Sequence, residues 1–363
     1  MTEGEIWREP VRGGYADVRF LGLDGLERMR ASLRGFMPPP PIHHLSGLRP
    51  TEGSPGSAAF AMPASSWWLT PAGVFNPGVM AFLADAPLGA AISTALPPGK
   101  ILTTSDLTMS FLRPASVESE RLVARSRIIH VGRSLGLAET AVEDGRGRLL
   151  AHGTTRAFLV EVVSPPPDPP EKLEPWVPSE YETPDPYLRP AVGEVLPQEV
   201  WDRMSGLEIM HGLMAGELPV PPIAYFTGLR WTEAAEGSAT LTVPMTEWLN
   251  SPAMRIYGGA IAWVADVCLT GTVQTTVPPR TAFSPLDLKV NFVRPVLPDG
   301  RDLVARGTVV HRGRTLAVAN AEIRNQEDKV VALASGSTLI LPDRPWTLER
   351  PVVAEEEAEG EEQ

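Results

Sequence analysis

A single cysteine, Cys268, stands in a chain of 363 residues. One thiol excludes an internal disulfide framework and a cysteine-paired zinc site. No apolar run approaches the length of a membrane span, and the opening MTEGEIWREP has no basic region leading into an apolar core. Basic side chains are outnumbered 32 to 44, a net charge of −12, which argues against a nucleic-acid binder that relies on a basic face. Much of that excess is local: Glu355, Glu356, Glu357, Glu359, Glu361 and Glu362 read as a solvated tail. The expectation is a cytoplasmic protein with no metal, no membrane and no nucleic-acid partner.

Apolar residues make up 43% of the chain, enough for sizeable cores, and the length favours two domains over one. One stretch stands out, NSPAMRIYGGAIAWVADVCLTG, Asn250 to Gly271. It reads as an almost wholly apolar helix in which Asp266 is the only charge between Arg255 and Arg280. Ionising a carboxylate there is costly unless something nearby needs it, which makes Asp266 a candidate functional group. Gly258 and Gly259 open the helix, where free N–H groups and the positive end of the dipole favour negative charge on oxygen.

The arrangement recurs in NPGVMAFLADAPLG, Asn76 to Gly89, with Asp85 the only charge between Glu52 and Lys100. Moving the chain by 181 residues carries Asp85 onto Asp266, Trp67 onto Trp248, Phe111–Pro114 (FLRP) onto Phe292–Pro295 (FVRP), and the LVAR beginning at Leu122 onto the LVAR beginning at Leu303. The register holds without a gap over about 120 residues, so the chain reads as two homologous domains. Each copy runs strand, central helix, then several strands with half-solvated alternation, an α+β pattern of one helix against a mostly antiparallel sheet. Gly25 to Met37 and Glu199 to Glu217 read as amphipathic helices ahead of each copy. The proline-rich Ser164 to Pro190 reads as an extended crossing segment rather than packed structure.

An Asn, a short loop, a Gly-Gly helix start and an Asp eight residues after the first Gly resemble the hotdog thioesterases of the phenylacetate-pathway (PaaI-type) group. The strands ending in FLRP or FVRP and the HxGR turns extend the resemblance over residues 48–160 and 229–341. It implies two tandem hotdog domains forming a pseudo-dimer within one chain. The expected boundaries are an N-terminal segment and helix over 1–37, a first domain over 38–163, a linker over 164–197, a second domain over 198–343 and a disordered acidic tail over 344–363. It further implies hydrolysis of acyl-CoA or a related thioester in a narrow apolar tunnel between the central helices. No cofactor is expected beyond the coenzyme A of the substrate, and further pairing of pseudo-dimers into a homo-oligomer stays open.

Two departures from that family bear on the site. Its usual His before the Gly pair is Tyr257 in copy two and Asn76 in copy one, and copy one has Pro77 where copy two has Gly258. Proline has no N–H to polarise a carbonyl, although Asn76 as N-cap and Pro77 as first residue start a helix well. The expectation is therefore one working site. It combines Asp85 as base or nucleophile, Gly258 as oxyanion donor with Gly259 beside it, Asn250 and Tyr257 nearby, and Thr104 orienting water. The other pairs Asp266 with Asn76 and Pro77, and Pro285 replaces Thr104 unless a one-residue slip brings in Ser284. Arg133 and Arg314, in matched turns, are candidates for the coenzyme phosphates.

Plainer readings stand beside these. The two acids are then buried carboxylates bonded to backbone, the glycines serve close packing, and Tyr257 is a packing aromatic. Cys268 has no histidine partner for a thiol mechanism. A non-catalytic acyl-CoA-binding protein and a hotdog hydratase or dehydratase are the alternative functions, the latter disfavoured because neither central helix carries a histidine.

Overall fold

A computed structural model describes residues 4–162 and 164–346. In the first half, α1 (Gly25–Leu33) and α2 (Pro41–Ser46) precede the hairpin β1 (Arg49–Ser54) and β2 (Ser57–Pro63), the central helix α3 (Gly78–Ser93), and strands β3 (Lys100–Phe111), β4 (Arg121–Val131), β5 (Leu135–Asp144) and β6 (Leu149–Glu161). The second half repeats the order. After α4 (Gln198–Arg203), α5 (Gly206–Ala215) and α6 (Pro222–Thr227) come β7 (Arg230–Ala235), β8 (Ser238–Pro244) and the central helix α7 (Gly258–Gln274). Strands β9 (Thr281–Pro285), β10 (Asp287–Phe292), β11 (Asp302–Arg312), β12 (Leu316–Arg324) and β13 (Val330–Pro342) complete it.

The strands form one antiparallel sheet in the order β1-β2-β4-β5-β6-β3-β10-β13-β12-β11-β8-β7, with β9 also on β13. The halves join where β3 meets β10, and there Thr108 pairs with Lys289, its own counterpart in the repeat. A residue can pair with its counterpart only beside a two-fold axis, so the pseudo-dimer is symmetric about this seam. Both central helices are apolar on nearly every face and accordingly buried; Val79 to Ala84 of α3 are fully enclosed. They also touch each other: a Cβ on Gly78 would lie 3.0 Å from Trp263 Cα.

The repeat begins earlier than the expected boundary. Asp24 and Glu27 form a capping box at the start of α1, and Ser205 and Glu208 form the matching one on α5. The helix α1 thus belongs to the first domain rather than to a separate segment over 1–37. It ends at Leu33, short of the expected Met37. The single helix expected over Glu199 to Glu217 is two, because Met204 turns extended and the Ser205 cap starts a new one.

The linker is packed along its second part. Trp67 Nε1 donates to the carbonyls of Pro186 (2.9 Å) and Arg189 (3.1 Å), and Asp185 accepts from His44 and Arg12. Prolines already fixed in φ give up little entropy when such a segment docks. Of the expected tail, residues 344–346 are described: the Trp346 ring packs tilted against Trp201 and edge-on to Phe283, and its backbone N–H donates to Gln198 Oε1. The remaining tail residues lie outside the described chain.

Candidate active site

Each central helix presents its acid to the N-terminus of the other. Asp85 Oδ2 accepts the Gly259 N–H at 2.9 Å, and Asp266 Oδ2 accepts the Gly78 N–H at 2.8 Å. Gly78 is the repeat counterpart of Gly259, so the two contacts are one contact made twice. Gly259, one residue past the expected oxyanion donor Gly258, supplies the N–H that holds the carboxylate. Pro77 matches Gly258, so its missing N–H does not deprive Asp266 of a partner. The backbone donor lies one residue further into each helix.

Both acids are buried, Asp85 7% and Asp266 1% exposed. Burial pushes the Asp85 carboxyl up to about 6, against the opposing pull of the Gly259 N–H and the Thr104 hydroxyl. It pushes Asp266 up to about 7, opposed by Gly78 and Asn76 and reinforced by the charge of Asp287. A carboxyl that takes up a proton near neutrality is suited to general base work.

Around Asp85 the expected neighbours assemble in part. Thr104 Oγ1 donates to Asp85 Oδ1 at a long 3.4 Å, and a Cβ on Gly258 would lie 2.8 Å from Asp85 Oδ2. Tyr257 is buried with its ring edge against Phe82 and its hydroxyl donating to the Phe82 carbonyl at 2.7 Å. Burial raises that phenol further above its ordinary range, and the nearby Asp85 charge adds to the rise. Asn250 is not part of this group: its amide donates to Tyr15 at 2.6 Å, and its carbonyl accepts from Ile42.

Asp266 has as many polar partners, and a cavity opens beside one of them. Asn76 Oδ1 shares the Gly78 N–H at 3.0 Å, although the N-cap of α3 is Pro77 and the helix starts at Gly78, one residue later than expected; Asn76 Nδ2 donates to Thr270 Oγ1 at 3.3 Å. Register decides the question of a slip: Thr104 pairs with Ala157 and Pro285 with Thr338, the same pair in each copy, so Pro285 holds the place of Thr104. A cavity of about 910 Å³ starts beside Asn76 and Pro77. It follows the Val267, Thr270, Gly271 and Gln274 face of α7, whose spacing of three and four residues aligns them along one side of the helix. Its far wall comes from Met210 and Leu213 of α5, Trp231, and the Trp201–Phe283–Trp346 cluster, while Arg230 and Arg344 bring exposed cations to its lining. Asp85, Thr104, Tyr257, Gly258 and Gly259 do not line it, and Asp266 and Gly78 border it only through Asn76, Pro77 and Val267 beside them. Arg133 and Arg314 lie exposed in their turns, outside this lining.

The expectation of an apolar acyl space thus has its counterpart beside the acid expected to be idle. The sequence held a signal for it: Asn76 is small where Tyr257 is large, at the same helix start. What sequence alone missed is the wall, because Trp231, Trp201 and Trp346 come from segments remote from either helix. Cys268 is buried and its thiol is pushed up to about 12, so it holds its proton.

Among the described residues no helix is long and apolar enough to cross a membrane. The model of the family described as Thioesterase superfamily matches residues 72–151 and again 255–332, one segment in each half. A Vibrio cholerae relative, named as a proposed esterase, is 23% identical over 148 residues, covering 40% of this chain and 93% of its own. Among solved structures, the Mycobacterium avium subs paratuberculosis tesB protein superposes over 88% of this chain and all of its own, at TM-score 0.51 and 15% identity, a likeness of fold. The E. coli PaaI protein covers 37% of this chain and 92% of its own, at 24% identity and TM-score 0.33.

Proposed function

We propose, from the premise that this chain carries two tandem hotdog domains of the thioesterase superfamily, that it hydrolyses acyl thioesters of coenzyme A type at Asp266. The single observation that carries the choice of site is the apolar cavity beginning beside Asn76 and Pro77, at the helix end that holds Asp266. The acyl group lies along the α7 face in this reading. The exposed Arg230 and Arg344 meet the phosphates of the carrier, a role earlier expected of Arg133 and Arg314.

The reaction needs only water and groups of this chain. The substrate carbonyl displaces an Asp266 oxygen at the Gly78 N–H, which sits at the positive end of the α3 dipole. The Asp266 carboxylate then takes a proton from water as the water oxygen bonds to the thioester carbon, and the carbonyl electron pair moves onto oxygen. Collapse of that oxyanion breaks the carbon–sulfur bond, and the proton passes from Asp266 to the departing sulfur, leaving a carboxylic acid and a thiol. Asn76 Nδ2, released from Thr270, is a second donor within reach of the same oxyanion.

The test is thiol release across a panel of acyl-CoAs by the wild-type chain and by the separate variants Asp266→Asn and Asp85→Asn. Loss confined to Asp266→Asn supports the assignment; loss confined to Asp85→Asn overturns it. A second reading, acyl binding without turnover, is favoured by Pro77 and Pro285, which remove an N–H and a hydroxyl from the open half. Saturable binding with no thiol release by the wild-type chain selects that reading.

A further inference from the structure

The half with the fuller set of polar groups is the half without the cavity. Around Asp85 stand the Gly259 N–H, the Thr104 hydroxyl and the Gly258 N–H, which makes no hydrogen bond among the described residues. The open half has prolines at two of the matching positions.

Along the flank of α3, Ala86, Ala90, Leu102 and Thr104 remain partly exposed. Their counterparts Val267, Gly271, Phe283 and Pro285 line the cavity of the other half. The repeat therefore places the matching face of the first half against Asp85, partly exposed along its length and filled at its inner end. The filling side chain is Tyr257, 6% exposed, whose ring centroid lies 5.2 Å from that of Phe82 at 85°. Trp263, the counterpart of Phe82, faces the open cavity instead, because Asn76 is too short to cover it. Gly259 permits this placement, since a Cβ there would lie 2.6 Å from a Tyr257 ring carbon.

We infer that Tyr257 closes a second acyl-thioester site at Asp85, so that the chain takes one substrate where its two-fold symmetry provides for two. The inference rests on the thioester reading of the preceding section. The Tyr257 hydroxyl bond to the Phe82 carbonyl at 2.7 Å and the aromatic edge contact hold the ring in place. Asn at this position restores the arrangement found at Asn76, which exposes the Phe82 face of the groove and leaves Asp85, Thr104 and both glycine N–H groups where they are.

Calorimetric titration with a non-hydrolysable thioether analogue of octanoyl-CoA reads the number of sites. The expected stoichiometry is one per wild-type chain, abolished by Val267→Trp and untouched by Ala86→Trp. In Tyr257→Asn it becomes two, and Ala86→Trp removes the second. In an Asp266→Asn background, Tyr257→Asn restores thiol release that Asp85→Asn then eliminates. A Tyr257→Asn chain that melts cooperatively and still binds one analogue overturns the inference. So does wild-type binding that survives Val267→Trp but not Ala86→Trp, a result that needs no Tyr257 variant to fold. Absence of binding in every protein overturns the thioester reading itself, and the closed site with it.

Discussion

The two halves of this molecule hold their acids in the same way and surround them differently. In both, a buried carboxylate accepts the N–H of a glycine at the start of the partner helix, at 2.9 Å for Asp85 and 2.8 Å for Asp266. That shared contact comes from the two-fold seam at Thr108 and Lys289, which places each helix start against the other helix. What differs is side-chain bulk. Tyr257 fills the place that Asn76 leaves open, while Trp231 and Gly271 shape a wall where the first half has Pro50 and Ala90. A Cβ on Gly271 would lie 2.1 Å from the Trp231 ring, so this indole reaches the cavity only because position 271 is glycine. Duplicating a domain supplies two copies of the chemistry, and a few substitutions decide which copy has room for a substrate.

The largest expected effect breaks the comparison outright. Asp266→Asn removes the base from the open half and should lower kcat for thiol release by about a hundredfold or more, whereas Asp85→Asn stays within about threefold. Comparable losses in both would mean that the halves act together rather than as an open and a closed copy.

Second, the halves differ in the pH at which their acids ionise, about 6 for Asp85 and about 7 for Asp266. A general base works ionised, so kcat/KM at the open half should climb about tenfold per pH unit below 7 and level off above it. A limb that persists in Asp266→Asn and is lost in Asp85→Asn instead assigns turnover to Asp85.

Third, bulk added to one groove should matter and bulk added to the other should not. Val267→Trp puts an indole into the cavity and is expected to raise KM for long acyl-CoAs by about a hundredfold or more, from the about 3 kcal/mol at the upper end of what overfilling costs, which takes binding out of the range of titration. Its counterpart Ala86→Trp leaves KM unchanged.

Much of this was legible in sequence because the repeat keeps one register. The lone acids, the glycine helix starts and the FLRP and FVRP strands are all short-range features, and each fell where the repeat placed it. The Ser-x-x-Glu cap at Ser205 and Glu208 was equally visible, and it marks the break in a helix that periodicity alone ran together. That the acid's own partner is Gly259 rather than Gly258 was not legible, since a helix start fixes which N–H points outward only once its first turn is built. The site's location was not legible, because volume is a property of walls assembled from distant segments. Trp346, from the residues assigned to a tail, reaches that wall through packing on Phe283 and Trp201 that no local pattern announces.

The smallest expected effect concerns stability and reverses the direction seen in catalysis. Asp266 has a folded value near 7, above the ordinary 3.8, so the folded chain keeps a proton that the unfolded chain releases. Stability from this group is fully present below about pH 4 and is lost as pH rises through about 7. Above that, a bare carboxylate sits in an apolar interior with only the Gly78 N–H and the Asn76 side chain to hold it. Asp266→Asn keeps an oxygen for the Gly78 N–H and removes the charge, so its Tm should exceed that of the wild-type chain at pH 8 and match it at pH 4. The linkage ceiling is about 4 kcal/mol, and for Asp85→Asn, with its value near 6, about 3 kcal/mol. Thermal melts of the three proteins across this range check the order. A variant at Asp266 that is inactive and more stable at pH 8 identifies the carboxylate as a group retained against the interest of the fold. One that is less stable at pH 8 places its role in holding the helices together.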